Sequence, residues 1–228
     1  MRGGKSLGVL SGGGPPIDRQ ATNARGLDMV ENLSEEGFLR DVREHRMRVL
    51  HDSGVYRHVR FAKPGTCLMQ FDIVTWPGYL AFSGDMGAYV FSRLRDMFEF
   101  FRDSTPRPMG PIEVNLKYWA EKCQAQDCSS GMREYRPERF REKVRQWVTD
   151  ADLSEECRSA VQREVLSRAE EGEYAARQAL EEFDREYSLG FEDFWEADCR
   201  DWTVRYVWCC RALCWAIRQY DGVAERAA

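Results

Sequence analysis

Polar and apolar positions change rhythm twice along this chain. Between residues 45 and 92 they alternate. "HRMRVLH" (45–51) alternates up to the turn residues Asp52-Ser53-Gly54, and "VYRHVRF" follows with Val55, Val59 and Phe61. Lys63-Pro64-Gly65-Thr66 marks the next turn. "CLMQFDIVTW" then carries Met69, Phe71 and Ile73 on one face. Trp76-Pro77-Gly78-Tyr79 has Pro second and Gly third, which suits a type II turn. "YLAF" and "AYVF" are two short strands about Gly84-Asp85-Met86-Gly87. Strands this close, each joined by turn residues, predict an antiparallel meander.

Elsewhere the rhythm is helical. Residues 23–43 carry Leu27, Val30, Leu33, Phe38 and Val42, with a helix-start signal at Ser34, Glu35 and Glu36. Leu94, Met97, Phe98 and Phe101 follow the i, i+3, i+4, i+7 spacing and predict a helix laid on the meander's apolar side. "DSTPRPMGP" (103–111) reads as a loop and a boundary between lobes. Beyond it, "NLKYWAEKCQA" (115–125) predicts a helix. Pro137 opens another, with Phe140, Val144, Trp147 and Val148 inward. Ser154 caps a third; Ala176, Leu180, Phe183 and Tyr187 stripe a fourth. A short helix is expected at 191–198 and a long one at 201–220. The expected fold is α+β: an antiparallel β-meander backed by helices (21–102), then a helical C-terminal lobe (112–228). The Gly- and Pro-rich residues 1–20 are expected to be disordered.

Composition narrows the function classes. No run approaches the ~18 apolar residues that a membrane span needs, and the first residues lack the apolar centre of a secretory signal. A cytoplasmic protein without membrane contact is expected. "GGKS" (3–6) lacks the upstream glycine and strand of a phosphate loop. Eight cysteines are present but no Cys-x2-Cys knuckle, so buried thiols are expected and neither a metal nor a cofactor.

Charge is uneven. Residues 170–201 hold twelve acids against three arginines, a net −9, which leaves +4 for the rest of a chain of net −5. Glu173, Glu181, Glu182, Asp184, Glu192 and Asp193 are predicted to point outward from helices whose apolar stripe faces inward. They form a candidate partner-binding face. On the last helix Tyr206, Cys210, Leu213, Ile217 and Tyr220 share one side. Val204, Trp208 and Trp215 lie on another, so Trp208 and Trp215 are either core or an exposed aromatic patch. Arg46, Arg48, Arg57 and Arg60, with Arg43, Lys63 and Tyr56 beside them, form an alternative nucleic-acid face. Asp85 at a loop tip is a candidate base or ligand, but the nearest other carboxylate is Asp72. Turn chemistry is the simpler reading. His51 and His58 are placed to align across the first hairpin.

The stretches "FDIVTWPG" (71–78), "GDMGAYVF" (84–91), "DMFEFF" (96–101) and "YWAEK" (118–122) resemble a family of uncharacterised tailed-phage and prophage proteins. The resemblance covers roughly residues 35–145 and implies a phage origin, with no activity or site residues attached. It leads us to expect a non-enzymatic accessory protein that binds and inhibits a host protein, an antiviral-defence component being one target, through the acidic and aromatic helical surface. The alternatives are a nucleic-acid- or nucleotide-binding module using the Arg-rich meander and, more weakly, an enzyme using Asp72, Asp85 and a histidine. Self-association through the aromatic helix is a further alternative.

Overall fold

The structure, a computed structural model, describes residues 34–102, 110–128, 131–151 and 153–227. The segment expected to be disordered, and Leu27, Val30 and Leu33 of the first predicted helix, lie outside the described residues. Helix α1 (Glu35–Val42) begins where Ser34 Oγ accepts from the Gly37 N–H at 2.9 Å, and it buries Phe38 and Val42.

The meander follows: β1 (Arg46–Ser53), β2 (Tyr56–Ala62), β3 (Phe71–Trp76), β4 (Tyr79–Gly84) and β5 (Gly87–Ser92), each antiparallel to the next. The β3–β4 turn is the predicted one: Trp76 pairs with Tyr79, and Gly78 takes φ +86°. Across β4–β5, Gly84 pairs with Gly87 around Asp85 and Met86. Gly84 is required by close approach. A Cβ there would stand 2.3 Å from the Gln70 carbonyl oxygen and 2.7 Å from Phe71 Cβ.

Helix α2 (Met97–Phe101) starts later than predicted. Asp96 accepts from the Phe98 N–H at 2.9 Å and caps it, which leaves Leu94 in the preceding loop and exposed. The helix expected at 115–125 also breaks. Helix α3 (Leu116–Glu121) stops after six residues, and β6 (Cys123–Gln126) pairs with β5 as the sixth strand. The unpaired edge of β5 offers backbone partners that a short helix with no further apolar turn cannot outbid.

One face of the sheet is buried. Val59, Phe61, Phe71, Ile73, Leu80, Phe82, Tyr89 and Phe91 meet α1, α2, α3 and the last helix, α7 (Val204–Ala227), in one apolar cluster. Helix α7 therefore packs on the meander rather than on its sequence neighbours. A second cluster joins α4 (Pro137–Asp150), α5 (Glu155–Glu164), α6 (Glu173–Tyr187) and the 3-10 turns Leu166–Glu171 and Phe191–Glu196. Pro137 and Ser154 open their helices as expected, and Trp147 stacks on Phe191 at 3.7 Å. Tyr187 departs from the predicted stripe. Its ring stacks on Phe183 at 4.3 Å but stays exposed at the helix end. The predicted start at 201 is instead strand β8 (Arg200–Trp202), paired with β7 (Arg133–Tyr135). The two cores thus divide the chain by contact, with residues 112–126 and α7 belonging to the sheet.

Four cysteines (Cys199, Cys209, Cys210 and Cys214) are buried as small apolar groups, while Cys67 and Cys128 are exposed. Burial pushes the Cys209 and Cys210 thiols well up, so both stay protonated.

Gly84→Ala is expected to lower unfolding free energy in urea melts by roughly 2–3 kcal/mol, because backbone and Phe71 must move. Gly54→Ala, whose Cβ meets open space at φ +62°, should cost only about 1 kcal/mol. Equal losses would remove the close-approach account.

Candidate functional site

The loop at 84–87 is held by its own acid. Asp85 Oδ2 accepts from the Met69 N–H at 3.0 Å, and the Asp85 N–H donates to the Gln70 carbonyl at 3.0 Å. The carboxylate serves the neighbouring β2–β3 loop, where Met69 takes φ +55°, rather than its own turn. Asp72 lies elsewhere, on β3, clasped by Arg60 at 2.7 and 2.8 Å with His58 Nε2 at 3.6 Å. Asp72 and Asp85 therefore make no pair for acid–base work. Among the described residues no group of three His, Cys, Asp or Glu could hold a metal ion.

The candidate acids on α6 are tied within the chain. Glu173 meets Arg177 at 3.3 Å and Arg200 at 2.9 Å, Glu181 meets Arg185 at 3.2 Å, and Glu182 accepts from Gln178 at 3.0 Å. Asp184 is not a surface acid of the expected kind. Its Oδ1 accepts from the N–H groups of Leu189, Gly190 and Phe191 at 3.0, 2.8 and 3.2 Å. The chain reverses there through Ser188 at φ 51°, and the freed N–H groups need an acceptor. The side chains of Glu192 and Asp193 lie outside those described.

Of the two readings of the last helix, core or exposed aromatic patch, the core reading holds for Trp208. Trp208 is 2% exposed, donates from Nε1 to Asp41 at 3.0 Å, and stands edge-on to Phe38 and Phe71. Trp215 is partly buried against Phe61 at 5.2 Å. A helix laid across a sheet buries more than one stripe, which accounts for its two apolar sides.

The arginines separate by strand parity. Arg57 pairs with Thr75 and faces the core side. There it makes two 2.8 Å bonds to Asp96 and lies 4.6 Å over the Phe98 ring. It is removed from the expected basic face. Arg46, Arg48 and Arg60 face the other side, with His51 and His58, which pair across the hairpin as expected. Arg60 is tied to Asp72, whose carboxyl is held below its ordinary value chiefly by that hydrogen bond. Arg46 and Arg48 are exposed and have no partner among the described residues.

Among the described residues nothing covers this outer face. Val74, Ala81, Ala88 and Val90 across its middle are only partly buried. At the hairpin end Trp76 and Tyr79 stack, rings 5.3 Å apart and 12° from parallel, exposed by 36% and 40%. Register puts Tyr56, 52% exposed, one step beyond the Arg57–Thr75 pair and beside Trp76. Trp76 and Tyr79 entered the sequence reading only as turn flanks. The signal was present, since each shares strand parity with the outward residues Val74 and Ala81. In comparisons with known proteins, no family model, curated protein or solved structure matches this chain.

Two predictions follow the carboxylates. Asp184→Ala should cost about 1–3 kcal/mol in thermal or urea melts, because three N–H groups lose their acceptor. Glu181→Ala should stay within about 0.5 kcal/mol. Asp96 loses ionic stability to burial, but the Arg57 bonds and the Phe98 N–H outweigh this and lower its pKa below 3.8. Its contribution is full above the ordinary carboxylate value and disappears as pH falls through the lowered one. Stability measured from pH 5 down to pH 2 should fall less steeply in Asp96→Asn than in the parent.

Proposed function

We propose that this chain is a non-enzymatic phage accessory protein that binds nucleic acid on the open face of its sheet. The phage setting, and with it the host-cell cytoplasm, comes from the motif resemblance. One observation carries the binding reading: among the described residues Arg46 and Arg48 have no acidic partner, and they share a sheet face with an exposed aromatic row. Unpaired cations on a flat sheet attract phosphates, and each contact releases counterions. The chain's overall charge of −5 does not oppose this, because the acids concentrate in 170–201. Among the described residues no helix is long and apolar enough to cross a membrane.

The rival reading is capture of a host protein by the acidic helix. Its support is the exposure of Glu181 and Glu182. Against it stand the ion pairs within the helical cluster and the burial of Trp208.

Anisotropy titration of a labelled 20-nucleotide single strand across a salt series separates the two. The double variant Arg46→Glu, Arg48→Glu should weaken binding at least tenfold and reduce the salt slope by about 1.4, at roughly 0.7 per lost contact. Asp72→Asn should tighten binding several-fold by releasing Arg60. Glu181→Lys with Glu182→Lys should leave affinity within about twofold. Absence of oligonucleotide binding, with one purified host protein bound by the parent and lost in the helix variant, would replace this reading.

A further inference from the structure

We infer that Tyr56, Trp76 and Tyr79 form a base-stacking site and that the ligand is single-stranded nucleic acid with unpaired bases; this rests on the nucleic-acid reading above. The three residues sit side by side on β2, β3 and β4, at one end of the open face. Trp76 and Tyr79 lie on adjacent strands with nearly parallel rings, so they stand upright on the sheet like plates. Trp76 leans toward Tyr79. Its other face, toward Tyr56, carries no ring or cation among the described residues, and Tyr56 has no ring partner. Free ring faces of this kind accept a flat base by stacking, whichever base it is.

Charge and shape select the occupant. The row next to the rings holds the small Val74, Ala81 and Val90, with His58 and His51 at its β2–β1 end. Arg60 and Arg48 come four residues along the strands from the rings, about 13 Å away. A strand with its bases on the rings can therefore lay its phosphates toward the arginines. The Gly78 N–H donates to the Arg95 carbonyl at 3.0 Å, so the segment that bears the exposed Arg93 and Arg95 runs past the hairpin tip. No acid stands in the aromatic row. A protein hot spot uses the same residue types, but unpaired arginines around a row without acids favour a polyanion. A duplex keeps its bases inside the stack and offers these rings nothing to stack on.

Tryptophan fluorescence and anisotropy with a 20-nucleotide oligo-dT, the matching duplex and inorganic polyphosphate test this. The single strand should bind at least tenfold more tightly than the duplex and quench emission, and Trp76→Phe should remove most of the quench. Tyr56→Ala, Trp76→Ala and Tyr79→Ala should each weaken single-strand binding roughly tenfold with the salt slope unchanged and the melting curve preserved. Equal binding of duplex and single strand, or ring variants that bind like the parent, would overturn the stacking site while leaving nucleic-acid binding in place. Binding of polyphosphate as tightly as oligo-dT would do the same. Failure of both oligonucleotides to bind would instead remove the reading on which it rests.

Discussion

Helix α7 lying across the inner face of the sheet is the contact on which the rest of the molecule depends. Eight large apolar side chains point inward from β2 to β5, and α7 covers them together with the shorter α1, α2 and α3. Trp208 packs on Phe38 and Phe71, Tyr206 on Tyr89, and Trp215 on Phe61. At roughly 1.5–3 kcal/mol for each large side chain taken from water, this interface is a large source of stability. Covering one face also leaves the other face open, so the packing that holds the fold creates the surface proposed to work.

Polar ties fix the position of that cover. Asp221 on α7 clasps Arg102 at 2.8 and 3.0 Å, next to α2. Tyr220 donates to Asp52 at 2.8 Å and so reaches the first strand. Tyr206 donates to the Leu116 carbonyl at 2.9 Å, and Arg218 to the Gly110 and Pro111 carbonyls at 2.8 Å. These bonds join α7 to segments 90 to 168 residues away in sequence. They give the helix one register on the sheet where apolar contact alone would allow several. Arg57 belongs to the same system through Asp96, with Phe98 beneath its guanidinium.

Charge is partitioned between the two cores. The helical cluster balances its acids internally, Glu173 with Arg177 and Arg200, Glu181 with Arg185. On the outer sheet face the balance is incomplete. Asp72 answers Arg60, and nothing described answers Arg46 or Arg48. An arginine left unmatched on an exposed strand is a stronger pointer to an anionic partner than a long acidic run most of whose described members are already engaged.

Alternation and turn residues determined the meander by themselves, since Pro77 and Gly78 set a turn locally and a period of two sorts side chains onto faces. The sequence also determined the caps at Ser34, Pro137 and Ser154, and the pairing of His51 with His58. Asp85 was legible as structural, though not the partner it holds. Only the tertiary structure decided that residues 123–126 become a strand and that α7 covers the sheet, and it chose core for Trp208 from the two readings the sequence left open. It alone turned Arg57 inward and gave Asp184 its three N–H donors. Periodicity states which residues share a face; it does not state which distant element meets that face. Those partners lie tens to more than a hundred residues apart, where no local preference of the chain can specify them.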